Sequence, residues 1–337
     1  MKEAPQTPVW PATAMNHSKA LYPPRSGKGK NESSYLGVTT DLTELISLRR
    51  HAQMLSYRPK GRAPSAGNNL SKLRGRGMDF AEVRNYQAGD EIRHMEWRVT
   101  ARTGRPHIKL YQEERERPVV ILVDFNPSMY FGTRIAFKSV VAARLAALFA
   151  WTAIKQGDRL GGLLCSQTTH NEFTPRGREG SVLPFLAALS EYTQMSPSQS
   201  TDPTNHSLNY ALQRVQRVAK PGSVLVLISD FYTLDKDSEQ HLSRLRSHND
   251  IIAYHLCDPL ELAPPSPQQY AITDGRQEIL LDTRIKAIQQ AYIHYCDERL
   301  ALIQAQLQRL KIHYVQTTAA TDLPLLVRQT FTRRAHG

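Results

Sequence analysis

The chain has no cysteine pair, no leader-like apolar segment and no stretch apolar enough to cross a bilayer. Its three cysteines, Cys165, Cys257 and Cys296, are far apart and odd in number. That excludes a disulfide framework or a Cys-x-x-Cys metal pair and fits a reducing compartment. Met1 to Pro24 carries prolines and polar residues but no apolar h-region, so no signal peptide is expected. The most apolar long stretch, Ile135 to Ile154, is broken by Lys138 and Arg144. No membrane span is therefore expected, and the cytoplasm is the expected location. Gly-x-Ser-x-Gly, His-Glu-x-x-His and the glycine-rich phosphate loop are also missing, which removes several familiar signatures of hydrolases and nucleotide-binding enzymes. No internal repeat is visible.

What is present is globular material. Of 337 residues, 40% are hydrophobic and 22% charged, enough to bury a core without covalent staples. The net charge of +12 is unevenly spread: from Met1 to Leu110 there are 19 Lys and Arg against 9 Asp and Glu. A basic N-terminal third suits nucleic acid, an anionic lipid surface or an acidic protein. It equally suits a solvated tail, because Pro, Ser and Gly dilute the charge without interleaved aromatics.

Along the chain, 1–34 reads as a disordered basic tail punctuated by Pro and Gly. Residues 35–116 read as an N-terminal helix, capped by Asp41 and running to about Ser56, followed by a small β segment. The β segment's short strands are expected to turn at Gly89-Asp90 and Thr103-Gly104, with Tyr86 and Trp97 in its core. Its alternating charges, from Asp79 through Arg102, fit either a lattice of weak surface ion pairs or an interface platform. Residues 117–337 change character. Continuous apolar runs at Val119 to Val123, Leu160 to Cys165, Val224 to Ser229 and Ile251 to Cys257 predict buried parallel strands. Helical patterns lie between them, an excursion spans 258–282, and Arg284 to Leu310 predicts a long helix. The alternation predicts an α/β fold: a doubly wound, mostly parallel sheet with helices on both faces.

Such a sheet binds ligands beyond the carboxyl ends of its strands. Two buried strands end in aspartate, Asp124 and Asp230. After Asp124, the pattern Asp124-x-Asn126-x-Ser128 places a carboxylate, an amide oxygen and a hydroxyl at alternate positions, which suits a hard cation such as Mg2+. A strand-end aspartate is also a common helix cap; two of them on separate core strands, one in an alternating-oxygen motif, favour a metal site.

That constellation resembles the metal-ion-dependent adhesion site of von Willebrand factor A domains. More closely, the chain resembles the bacterial family called domain of unknown function 58, over roughly Arg74 to Thr318. The resemblance rests on Arg76-Gly-x-Asp-Phe80, Arg84-x-Tyr86-x-x-Gly89-Asp90, Arg93-x-x-Glu96-Trp97 and Ala101-Arg102. It continues with Ser128-Met129-x-Phe131-Gly132, Gly157-Asp158-Arg159, Ser229-Asp230-Phe231 and Asp258-Pro259-x-Glu261. Three departures matter. Asn126 stands where the family usually has serine, and Glu96 where it has aspartate before the tryptophan. His206 or Ser207 falls where a second-loop threonine is expected, although Thr201 and Thr204 are near. The first and third imply a weaker metal site.

The resemblance implies a binding or assembly module and not an enzyme, an adaptor accompanying a MoxR-type AAA+ ATPase in assembling or maturing protein complexes. Asp124, Asn126, Ser128, Asp230 and one of Thr201 and Thr204 would hold Mg2+ or another divalent cation, and an acidic residue of a protein partner would complete its shell. Two other readings stay open. One is a metal-dependent hydrolase or nuclease, for which Asp202 would have to join the two aspartates. The other is nucleic-acid binding through Met1 to Arg76. The cysteines in strands, Cys165 and Cys257, read as inert core thiols.

Overall fold

A computed structural model describes residues 37–52, 78–87, 90, 92–113, 118–195, 208–273 and 278–333. The chain divides into two compact units, one formed by 61–116 and the other by 1–60 together with 117–337. The boundary thus differs from the sequence expectation, because the first helices belong to the α/β unit and not to the β segment. Helix α1 (Leu42–Ser47) is capped by Asp41, whose carboxylate accepts from Glu44 N–H; α2 (Arg49–Ala52) follows directly. Leu45 is fully buried in the α/β core, its carbonyl accepts from Trp151 Nε1 at 3.1 Å, and Glu44 pairs with Arg144 at 2.5 Å. Burial of one leucine with its backbone satisfied outweighs proximity in sequence to the next segment.

In the smaller unit, β1 (Met78–Asn85) pairs antiparallel with β2 (His107–Glu113). The intervening segment is not the run of short strands expected. It forms helix α3 (Trp97–Thr103), started by Glu96, which accepts from Arg98 N–H, and stopped by Gly104 at φ 68. That left-handed cap is the use to which the Thr103-Gly104 pair is put. Trp97 is not core either; it is 66% exposed.

The α/β unit is built on a six-stranded sheet. Its elements run β3 (Pro118–Phe125), α4 (Lys138–Lys155), β4 (Arg159–Ser166), β5 (His170–Arg176), α5 (Val182–Gln194), α6 (Leu208–Val218) and β6 (Val224–Ser229). Then come α7 (Lys236–His248), β7 (Asp250–Leu256), α8 (Pro259–Leu262), the hairpin β8 (Gln269–Thr273) and β9 (Glu278–Asp282), α9 (Lys286–Arg309), β10 (His313–Thr317) and α10 (Leu323–Arg333). The strand order is β10-β7-β6-β3-β4-β5, parallel except for the antiparallel edge strand β5. Side chains alternate across a strand, and the sheet divides two cores accordingly. Val119, Ile121, Val123 and Phe125 enter one with α4 and α5, while Val120 and Leu122 enter the other with α6, α7 and α9. Both faces of β3 are therefore dry, which is why its sequence is continuously apolar.

Helix α4 lies against the sheet with nearly all of its length buried, its alanines allowing close approach. Packing there is tight. A Cβ at Gly162 would lie 2.6 Å from Phe185 Cε2 and 3.1 Å from the Ile121 carbonyl, and Phe185 is itself fully buried. Gly162→Ala is expected to destabilise the unit by about 1–3 kcal/mol through overpacking. The check is the midpoint of urea unfolding; an unchanged midpoint means that the Phe185 ring has room to move.

Candidate functional site

Parallel pairing brings the carboxyl ends of β3, β6 and β7 to one rim, with Val123 beside Ile228 and Ser229 beside His255. Asp124, near the end of β3, and Asp230, just past β6, therefore arrive together; each raises the energy of the other's charge. The 3-10 turn Pro127–Met129 after β3 brings the Ser128 hydroxyl to Asp230, while Asn126 hydrogen-bonds Asp124. Four of the residues expected at the site, Asp124, Asn126, Ser128 and Asp230, are thus gathered. Thr201 and Thr204, with His206 and Ser207, lie outside the described residues.

The two aspartates differ in what they face. Asp124 is 4% exposed, and its partners are neutral donors. One carboxylate oxygen accepts from Asn126 N–H at 2.9 Å, the other from the Ser229 hydroxyl at 2.7 Å. No basic side chain pairs with it among the described residues. Burial first, and the Asp230 charge second, push its carboxyl up to about 6. The Ser229 hydroxyl is held in place by Phe231 N–H, which donates to it at 2.8 Å from a backbone at φ 49. A non-glycine in the left-handed region costs on the order of 1–3 kcal/mol, and such strain concentrates at functional sites.

Asp230 is 2% exposed and carries its own cation. Lys138, the first residue of α4 and 3% exposed, donates from Nζ to Asp230 Oδ2 at 2.8 Å and to Glu261 Oε1 at 2.7 Å. Burial acts to raise the Asp230 pKa, but the ammonium beside it outweighs burial and holds the carboxyl below its ordinary value. For Lys138, burial acts to favour the neutral amine, and Asp230 and Glu261 reverse that direction. Asp230 Oδ1 accepts from Tyr232 N–H at 3.0 Å, and the Arg299 guanidinium, 3.8 Å from the Tyr232 ring centroid, adds positive charge nearby. Oδ2 of Asp230, expected to hold a divalent ion directly or through water, is thus already bonded to an ammonium.

A third strand-end aspartate, Asp258, closes the rim structurally. It caps α8, accepting from Leu260 N–H at 2.9 Å, while Glu261 Oε2 accepts from Asp258 N–H at 2.7 Å. The same carboxylate accepts from Thr133 N–H at 2.9 Å and from the Thr133 hydroxyl at 2.6 Å, tying the loop after β3 to the loop after β7.

Lys138, Glu261, Ser229 and Arg299 are the site residues that sequence reasoning did not assign. One signal was present: a lysine opening a helix buried on nearly every side is rarely left unpaired. Its partners lie 92 and 123 positions away, and no local pattern names them. Cys165 and Cys257 have thiols pushed up by burial, Cys165 to about 12, so both are protonated and unreactive at neutral pH.

Both faces of a parallel sheet covered by helices, an antiparallel edge at β5, and an aspartate–asparagine–serine loop beside a second strand-end aspartate define a von Willebrand factor A-like domain. Within that class, the chain belongs to the family described as protein of unknown function DUF58, whose model matches residues 82–299. Similar proteins include uncharacterized proteins of Mycobacterium tuberculosis and Mycobacterium bovis, each 26% identical over 274 residues, or 80% of this chain and 81% of the relative. Among solved structures, the conserved hypothetical protein BatB from Bacteroides thetaiotaomicron is 13% identical with a TM-score of 0.39, covering 66% of this chain and 100% of that one. The SpRpn10 VWA domain is 14% identical with a TM-score of 0.35, covering 64% and 95%. No helix among the described residues is long and apolar enough to cross a membrane.

Proposed function

We propose that this chain is a protein-binding adaptor that meets an acidic residue of its partner at the Asp124 rim in a divalent-cation-dependent manner. In this reading it works with a MoxR-type AAA+ ATPase in the assembly or maturation of protein complexes. One observation supports the metal dependence: among the described residues, Asp124 is a buried carboxylate with no paired cation, while its neighbour Asp230 has one. A buried anion that is hydrogen-bonded only to neutral groups remains costly, and a hard cation relieves it.

The donor set fits such an ion only in a reduced form. Asp124, the Asn126 amide oxygen and the Ser128 hydroxyl would be the direct ligands. Asp230, held by Lys138, would act from behind as a fixed negative charge. Among the described residues, no three His, Cys, Asp or Glu side chains cluster as a metal cage, so neutral oxygens must complete the set. A set with one direct carboxylate is weak and selects an ion that keeps water, such as Mg2+. When bound, the ion would supply an electrophilic position for a partner's carboxylate. The hydrolase or nuclease reading needs clustered carboxylates around two metals; its third candidate, Asp202, lies outside the described residues, as does most of the basic arm assigned to nucleic acid.

The test measures binding of the purified full-length chain to the MoxR-type ATPase encoded in the same genome, in Mg2+ and in chelator. Capture in Mg2+ is expected, with loss in chelator and in Asp124→Ala while circular dichroism is unchanged. Equal binding by the Asp124→Ala variant and by chelated protein rules the metal-mediated mechanism out.

A further inference from the structure

The smaller unit holds a feature that the rim does not use. Trp97, at the start of α3, is 66% exposed, and Ile92, in the turn before it, is 62% exposed. A tryptophan left in water forgoes the large apolar burial for which the residue is otherwise used. It is not exposed for want of a scaffold. Glu96 N–H donates to the His107 carbonyl at 2.8 Å, His107 N–H donates to the Thr100 hydroxyl at 2.9 Å, and Met95 bridges to the buried Ile108. The underside of α3 is thus fastened to β2, and its outer side is exposed.

The charges around Trp97 are one-sided. The acidic side chains described in the unit are engaged elsewhere: Glu96 caps α3 and pairs with Lys109, and Asp90 pairs with Arg84 at 2.7 Å. Arg93, Arg98, Arg102 and Arg105 meet no carboxylate among the described residues, and all four are exposed. Arg98 and Arg102 stand four apart on α3 and so occupy one stripe, beside the stripe of Trp97 and Ala101. Two like charges at that spacing destabilise an isolated helix; an anionic partner removes the cost.

We propose that Ile92, Trp97 and the arginine stripe Arg98–Arg102 form a docking surface for an acidic protein segment, one that carries an apolar anchor between Asp or Glu residues. Charge complementarity selects the acidic occupant. The pairing of tryptophan with arginine is the composition of binding hot spots in protein interfaces. Among the described residues of the unit, one exposed aromatic beside an exposed aliphatic favours protein over single-stranded nucleic acid, which stacks successive bases on several rings. This inference does not rest on the Asp124 rim.

The experiment uses the full-length chain in chelator, so the rim reading cannot contribute. The probes are fluorescent 15-residue peptides with Leu or Phe among Asp and Glu, the same peptides with Lys replacing the acids, and a 20-residue oligo-dT. Acidic peptides are expected to bind, Trp97→Ala to weaken them at least about 30-fold, and Trp97→Phe to retain much of the affinity. Arg98→Glu with Arg102→Glu is expected to lose the acidic peptides and to gain the Lys peptides. Circular dichroism verifies that each variant is folded. The proposal is overturned if Trp97→Ala binds as wild type, if Lys peptides bind wild type equally well, or if oligo-dT is the probe that depends on Trp97 and the arginines. It is also overturned if Trp97→Ala lowers the unfolding midpoint of the chain as burial of Trp97 within it would require.

Discussion

Lys138→Met is expected to lower the stability of the α/β unit by about 3–5 kcal/mol, read as a large drop in the urea midpoint at neutral pH. The substitution keeps the length of the side chain and removes its charge, leaving Asp230 buried at 2% exposure with no ammonium bonded to it and only the more distant Arg299 charge nearby, and leaving Glu261 without its cation. Breaking a buried pair from one side costs this much because the remaining charge has lost its water as well as its partner. Two companion measurements separate the cause from simple packing loss. Combining Lys138→Met with Asp230→Asn should recover a substantial part of the stability, since the buried Asp230 position then carries no charge. Adding Mg2+ should also raise the midpoint of Lys138→Met by more than that of wild type, because Asp124 and Asp230 then face each other without the ammonium. A single variant that unfolds at the wild-type midpoint would show that the pair contributes nothing net.

The second large effect is a loss of stability in mild acid, traced to His255. The ring is 3% exposed, meets the Tyr314 hydroxyl at 2.8 Å and lies 5.9 Å from the Phe231 ring. Burial pushes its pKa down from 6.5 to about 4, against the opposing pull of the Asp230 charge. The folded state thus binds a proton less readily than the unfolded chain does. The stability associated with a neutral His255 is therefore complete above pH 6.5 and is lost as pH falls from 6.5 towards 4. Its size is on the order of 3 kcal/mol at roughly 1.4 kcal/mol per pH unit. Asp124 acts with the opposite sign: its folded value of about 6 exceeds the ordinary 3.8, so its cost grows as pH rises from about 4 through 6. The His255 contribution is isolated by subtraction. The difference in unfolding free energy between wild type and His255→Phe should slope steeply between pH 4 and 6.5 and be flat above. Parallel profiles would assign the acid sensitivity to other groups.

How much of this was legible beforehand follows from the range of the interactions. The strands β3, β4, β6 and β7 were readable because burial on both faces demands unbroken apolar runs. The order of Asp124, Asn126 and Ser128 was readable because a strand-to-helix loop must present alternate positions together. Segment 78–113 misled because its turn residues serve different ends: Gly104 stops a helix where a strand turn was expected, and Trp97 faces water in a unit whose interior uses Ile108. The expected grouping of the first helix with that segment failed for a related reason. Leu45 is buried in the core of the later domain, and its carbonyl meets Trp151 there, 106 residues along the chain.

The amino-acid order alone thus determined the sheet, its crossovers and the meeting of two aspartates at one rim, since parallel strands with the same polarity must end on the same side. Only the tertiary structure decided that those aspartates are unequal. Whether a buried carboxylate is compensated depends on which side chain reaches it across a few ångströms. Lys138 reaches Asp230 and leaves Asp124 to neutral donors because α4 starts over the end of β6, a packing outcome that no spacing in the sequence encodes.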